Sequence, residues 1–164
     1  MKSLILPVAI TLALAFAAPT QAAGSYAGVG LYDFYNSDIS LSAGTSLNDR
    51  VSVHGQYIDG LDFVLRATAE YRLEDGFYAL GGVSRYNGAF DNKSGAVLGA
   101  GYRTQLDRFP VNITANYDTA LDGFFSVAAT AQYQVNNKLA IQAGYRINSN
   151  DIDNEFGLGI RISF

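Results

Sequence analysis

The chain has no cysteine and no tryptophan, a single histidine and three prolines among 164 residues. Without cysteine there is no disulfide scaffold and no thiolate metal centre. Charge is sparse, at 16% Asp, Glu, Lys and Arg, where an ordinary globular chain carries about 25%. The 11 basic residues do not match the 15 acidic ones, so the basic excess of a nucleic-acid binder is missing and no nucleic-acid partner is expected. One histidine and no cysteine leave no ligand set from which to read a metal or cofactor site. What the chain does have is 17 Gly, 11 Tyr and 10 Phe, with 49% hydrophobic types. A disordered segment lacks that aromatic content. A single, aromatic, glycine-rich all-β domain fits it.

Residues 1–22 read as a cleaved secretory signal peptide. Lys2 is the positive start, Leu4 to Ala18 the apolar stretch, and Thr20-Gln21-Ala22 the small-residue cleavage site. The apolar stretch is about 15 residues, short of the roughly 20 that a spanning helix needs. Cleavage removes Lys2 and no acidic residue, leaving residues 23–164 as an exported acidic domain.

That domain alternates almost throughout. From Leu61 to Leu73, one face carries Leu61, Phe63, Leu65, Ala67, Ala69, Tyr71 and Leu73. The other carries Asp62, Val64, Arg66, Thr68, Glu70 and Arg72. Side chains of a strand point alternately to its two faces, so this is one apolar and one polar surface. Four strand–turn–strand units recur, turning at Leu47-Asn48-Asp49-Arg50, Leu73-Glu74-Asp75-Gly76, Leu106-Asp107-Arg108-Phe109 and Val135-Asn136-Asn137-Lys138. Asn and Asp suit such turns because they bond the local backbone and tolerate left-handed conformations. With one strand added at each end, ten are predicted: 25–35, 38–46, 50–58, 61–73, 77–86, 95–106, 110–118, 123–135, 138–148 and 154–164. Eight is the alternative, if the N-terminal pair is one bent strand. The longest connection on the side away from the four turns is Asn87–Ser94.

The apolar face carries aromatics at fixed separations: Phe63 to Tyr71, Phe125 to Tyr133 and Phe156 to Phe164 are eight residues apart. Eight tilted strand residues rise roughly 20 Å, close to the apolar band between the aromatic girdles of a membrane barrel. Tyr57, Tyr86, Tyr117 and Tyr145 fall near one rim, and Tyr102 joins Tyr71 and Tyr133 near the other. The opposite face holds Arg66, Glu70, Arg72, Arg103, Arg146, Arg161 and His54, too many charges for the core of a soluble sandwich. In a barrel, the apolar face meets lipid and the polar face lines a lumen. Backbone groups in lipid must all be paired, which excludes an open sheet.

The chain ends with Phe156, Leu158, Ile160, Ile162 and Phe164 on one face, a C-terminal aromatic preceded by apolar residues at every second position. With the signal peptide and the girdles, this resembles the small Gram-negative outer-membrane β-barrel proteins (OmpX-, OmpW- and OmpA-barrel-like). The resemblance implies a transmembrane, antiparallel, up-and-down barrel in the cell outer membrane. It also implies both termini on the periplasmic side, lipid and lipopolysaccharide around the barrel, and recognition of the tail by the outer-membrane assembly machinery.

Asp33, Asp38, Asp59, Asp62, Asp91, Asp118, Asp122, Asp151, Asp153 and Glu155 then collect towards the outer rim. Ordinary solvated turns account for them, as does attraction of divalent cations. Two functions remain open: a narrow passive channel with a basic lumen, favouring anions, and a plugged barrel that supports the membrane or a partner. A surface receptor or adhesin is a weaker reading, because short loops offer little binding surface. No enzyme is expected. His54 is the only histidine, and position 56, where similar-sized lipid deacylases place a serine after their histidine, is Gln.

Overall fold

A computed structural model describes residues 24–32, 38–59, 63–88 and 92–164. The expected signal peptide lies outside these residues, as do Asp33, Asp62 and Asp91. Ten strands form: β1 (Tyr26–Tyr32), β2 (Asp38–Ser46), β3 (Val51–Asp59), β4 (Phe63–Arg72), β5 (Phe77–Asn87), β6 (Asn92–Leu106), β7 (Phe109–Asp118), β8 (Phe124–Gln134), β9 (Leu139–Asn148) and β10 (Glu155–Ser163). Each pairs antiparallel with its chain neighbours, and β1 also pairs with β10, closing the sheet. The N-terminal pair is thus two separate strands, and the count is ten.

The four expected turns lie at the end of the barrel where β1 begins and β10 ends, here the turn rim. In two of them the same asparagine device fixes the register. Asn48 Oδ1 accepts from the backbone N–H of Arg50 and Val51, at 2.9 and 2.8 Å. Asn136 Oδ1 does so from Lys138 and Leu139, both at 2.9 Å. The other two turns use left-handed residues, Asp75 with Gly76, and Asp107.

At the opposite, loop rim, one expectation is corrected. β5 and β6 keep pairing as far as Asn87 opposite Asn92, so the connection between them is residues 88–91 rather than 87–94. The extra rungs are polar, and hydrophobic alternation does not mark strands that run on past the apolar band. Between β7 and β8 the chain turns inward. Thr119 N–H donates to Ala96 O, and Ala120 and Phe124 are buried at the mouth.

The barrel is apolar outside and polar inside, the reverse of a soluble fold. Leu98, Phe125 and Val83 stand on its outer surface 69%, 64% and 60% exposed, while Arg66, Ser84, Asp118 and Ser126 are buried inside. Such an exterior suits hydrocarbon, and closure leaves no strand edge unpaired there. Outward aromatics pair at both rims: Tyr57 with Phe63 and Tyr117 with Phe125 at the loop rim, Phe77 with Tyr102 and Phe109 with Tyr133 at the turn rim. Tyr71 and Tyr145 are also outward and exposed. Tyr86 is not part of these girdles. It shares the face of Tyr78 and Ser84, and its hydroxyl sits in the lumen.

Candidate functional site: the barrel lumen

The lumen encloses a cavity of about 310 Å³, lined from Arg161, Tyr26 and Gln132 in the turn half to Arg66, Asp118 and Glu155 in the loop half. Two carboxylates organise it, Glu155 held between two arginines and Glu70 between an arginine and a histidine.

In the loop half that carboxylate is Glu155. Arg146, its register partner on β9, reaches Glu155 Oε2 at 3.4 Å. Arg66 on β4 reaches Glu155 Oε1 at 3.3 Å. Around the closed sheet, β1, β2 and β3 lie between β4 and β10 on the short side, so the Arg66–Glu155 pair crosses the interior as a bar. Tyr32 OH donates to Glu155 as well. Arg66 Nη2 also donates to Tyr86 OH at 3.2 Å, while Arg66 Nη1 is buried with no partner among the described residues. From Tyr86 the network continues to Asp118, whose Oδ2 accepts its hydroxyl at 3.0 Å. Asp118 Oδ1 accepts from Ser84 Oγ at 2.8 Å and from the backbone N–H of Ala120 at 2.9 Å. Three donors satisfy this buried carboxylate, and its contact with Ala120 holds the inturned β7–β8 connection in the mouth.

In the turn half the carboxylate is Glu70. Arg103 donates to it across β5, and His54 Nε2 lies 3.1 Å from it. The other imidazole nitrogen, Nδ1, is 3.1 Å from Tyr26 OH. Two guanidiniums rest on tyrosine rings here: Arg103 on Tyr78 at 4.5 Å and Arg161 on Tyr26 at 3.6 Å.

Glycines make room for these rings. Tyr26 lies opposite Gly44, Tyr32 opposite Gly157 and Tyr78 opposite Gly101. A Cβ on Gly101 would come within 2.2 Å of the Tyr78 ring, and one on Gly44 within 2.5 Å of both Tyr26 and His54. An inward tyrosine can lie flat across the neighbouring strand only where that strand has no side chain, the pairing also used to rescue glycines in designed sheets.

Of the inward residues singled out from sequence, Arg66, Glu70, Arg103, Arg146, Arg161 and His54 all meet in these two networks. Arg72 stands apart, exposed at the turn rim on the inward face of β4. Sequence reasoning missed the inner aromatics Tyr26, Tyr32, Tyr78 and Phe124, and the placement of Asp118 inside the lumen rather than on the outer rim, whereas Glu155 lies on the polar face that alternation from Phe156 gives it. Parity carries the missing signal. Arg72 pairs with Tyr78 across the turn, so Tyr78 takes the inward face of Arg72, and Tyr86, eight residues on, follows it.

The tail residues Phe156, Leu158, Ile160, Ile162 and Phe164 all face outward and are exposed. Among the described residues no three His, Asp or Glu side chains converge as metal ligands. Among the described residues no serine is bonded to the imidazole of His54, and the nearby hydroxyls of Ser46 and Ser52 bond each other at 3.2 Å.

No family model matches the sequence, and no curated protein matches it. Solved structures do match in fold. The chain is similar to the KdgM porin, at 11% identity and a TM-score of 0.55, over 86% of this chain and 99% of that one. It is similar also to the KdgM porin in complex with disordered oligogalacturonate, at 12% identity and a TM-score of 0.53, over 86% and 99% of the two chains. The fold is therefore that of a porin-like membrane β-barrel.

Proposed function

We propose that this chain is a narrow outer-membrane channel whose passage is constricted by the bar of Arg66, Glu155 and Arg146. The observation that carries the reading is the cavity, lined by charged, polar and apolar side chains, that extends through both halves of the lumen, inside a barrel whose exterior suits lipid. The two ends contribute differently. Away from the rims, the loop half balances Arg66 and Arg146 against Glu155 and Asp118. The turn half sets Arg103 and Arg161 against Glu70 alone. The cationic excess is therefore local to the turn half, and a fixed positive wall raises the local concentration of anions. In this reading the signal peptide exports the chain, the assembly machinery recognises the tail from Phe156 to Phe164, and lipid and lipopolysaccharide surround the outward girdles.

Planar-bilayer recording across a KCl gradient tests it. A steady open level with anion preference is expected. Arg103→Ala should shift the reversal potential towards cations, and Glu155→Gln, by loosening the bar, should raise unit conductance. Electrical silence from a folded sample would defeat the channel.

Silence would favour a plugged barrel that stabilises the membrane or accompanies a partner. That second reading draws on the fully buried Tyr78 and Phe124. No enzymatic role is expected under either reading, since the imidazole of His54 sits between Tyr26 and Glu70 with no serine hydroxyl bonded to it among the described residues.

A further inference from the structure

We infer that the turn half of the lumen holds a binding subsite for a small carboxylate, built on Arg161 with Gln132 and Gln142. This rests on the cavity described above and names what its basic half would take.

Among the described residues, Arg66, Arg103 and Arg146 each have a carboxylate within 4.0 Å, whereas Arg161 has none. One face of its guanidinium is covered by Tyr26 at 3.6 Å. Stacking fixes the plane and leaves the N–H groups along its edge free to point into the cavity that Arg161 lines. A guanidinium held this way is preorganised for the two parallel bonds a carboxylate accepts.

The wall beside it is also unspent. Gln142 on β9 pairs with Gly159, two residues from Arg161 on β10, and Gln132 on β8 pairs with Gln142. Alternation puts all three on the inward face, and all three line the same cavity. Neither glutamine amide has a hydrogen-bond partner among the described residues. At that rung β1 contributes only Gly28, and the Ser42 hydroxyl lies over it, 2.6 Å from where a Cβ would stand. One cation, two free amides and that hydroxyl line the same cavity and together form a cradle for an anion carrying several oxygens. Chloride, a single acceptor atom, could not span the fork and both amides at once.

The test is a titration of the isotope-labelled barrel in micelles with sodium succinate, at fixed pH and with ionic strength held constant by sodium chloride. Saturable shifts are expected at the Arg161 Nε–H and at the side-chain amides of Gln132 and Gln142. Arg161→Met should abolish saturation. Arg161→Lys keeps the charge without the fork and should weaken binding several-fold, and it serves if the methionine variant fails to fold. Arg85→Met removes an outward arginine and should leave binding unchanged. Shifts that persist in Arg161→Met, that match between lysine variant and parent, or that spread without saturation over all charged residues would overturn the subsite. The spectra need no current. A silent barrel that binds succinate would remove the channel and keep the subsite, and a conducting barrel without saturable shifts would do the reverse.

Discussion

The two halves of the lumen solve one problem, a carboxylate inside a barrel, in different ways. In the loop half, Glu155 and Asp118 are deeply enclosed, and their partners come from β1, β4, β5 and β9 and from the inturned connection at Ala120. In the turn half, Glu70 is slightly more enclosed than Glu155, its side chain 12% exposed against 17%, but its partner Arg103 is 40% exposed. The contrast teaches that a charge pair acts as structure where both members are out of water. It acts as an adjustable surface where one member stays wet, because solvent screens the pair.

The largest effect expected from breaking this contrast is at Glu155. Replacing it with Ala leaves Arg66 and Arg146 enclosed without their carboxylate, and removal of one partner of a buried pair costs about 3–5 kcal/mol. Urea unfolding in micelles should show the loss as a lower midpoint, and an unmoved midpoint would mean the bar carries no structural load. Asp118→Ala should rank next. It strands the donors of Ser84, Tyr86 and Ala120, at about 1–3 kcal/mol for a buried group left unsatisfied. The same variant should expose the loop mouth, which limited proteolysis near residues 119–123 would report.

In the turn half, packing should outweigh charge. Gly101→Ala forces a methyl into the Tyr78 ring and should destabilise by about 1–3 kcal/mol, as overpacking does. Retaining alanine while trimming the ring, in Gly101→Ala with Tyr78→Ser, should recover part of that loss. An additive double variant would show that ring and glycine do not act as a pair. The smallest effect belongs to Glu70→Ala. With Arg103 half in water, the change should be about 1 kcal/mol or less, while anion preference in bilayer recordings increases. Equal losses from the alanine variants of Glu70 and Glu155 would erase the distinction between the halves.

How far the sequence carries the structure can be judged from individual residues. Ten strands, their turns and the outward face were readable because a lipid-facing surface tolerates little except apolar side chains. The run from Leu61 to Leu73 therefore declares its faces without ambiguity. β5 does not. Its outer face includes Gly81 and Arg85, and its inner face Tyr78, Leu80 and Tyr86, so hydropathy favours neither. Tyr86 ends its strand near a rim as Tyr117 and Tyr145 do, yet it points inward, so a place near the rim does not by itself set the face. Asp118, near the loop rim, was hidden for a related reason. It sits at the end of a strand, where the sequence alone does not separate an inward rung from a loop, whereas alternation from Phe156 turns Glu155 inward. Their arginine, tyrosine and serine partners are distant in the chain, and only barrel closure brings Arg66 to Glu155.

The seam between β1 and β10 joins the two stretches most remote along the polypeptide, with Tyr26 opposite Ser163 and Tyr32 opposite Gly157. Assembly must therefore wait on its final strand, a high-contact-order step that is slow to nucleate. Shaving a few residues from the start of β1 or the end of β10 would do more than shorten one strand, since across this seam each covers the other's backbone. Two rows of unmet peptide groups would then confront hydrocarbon at once, and the bilayer itself proofreads the completeness of the chain.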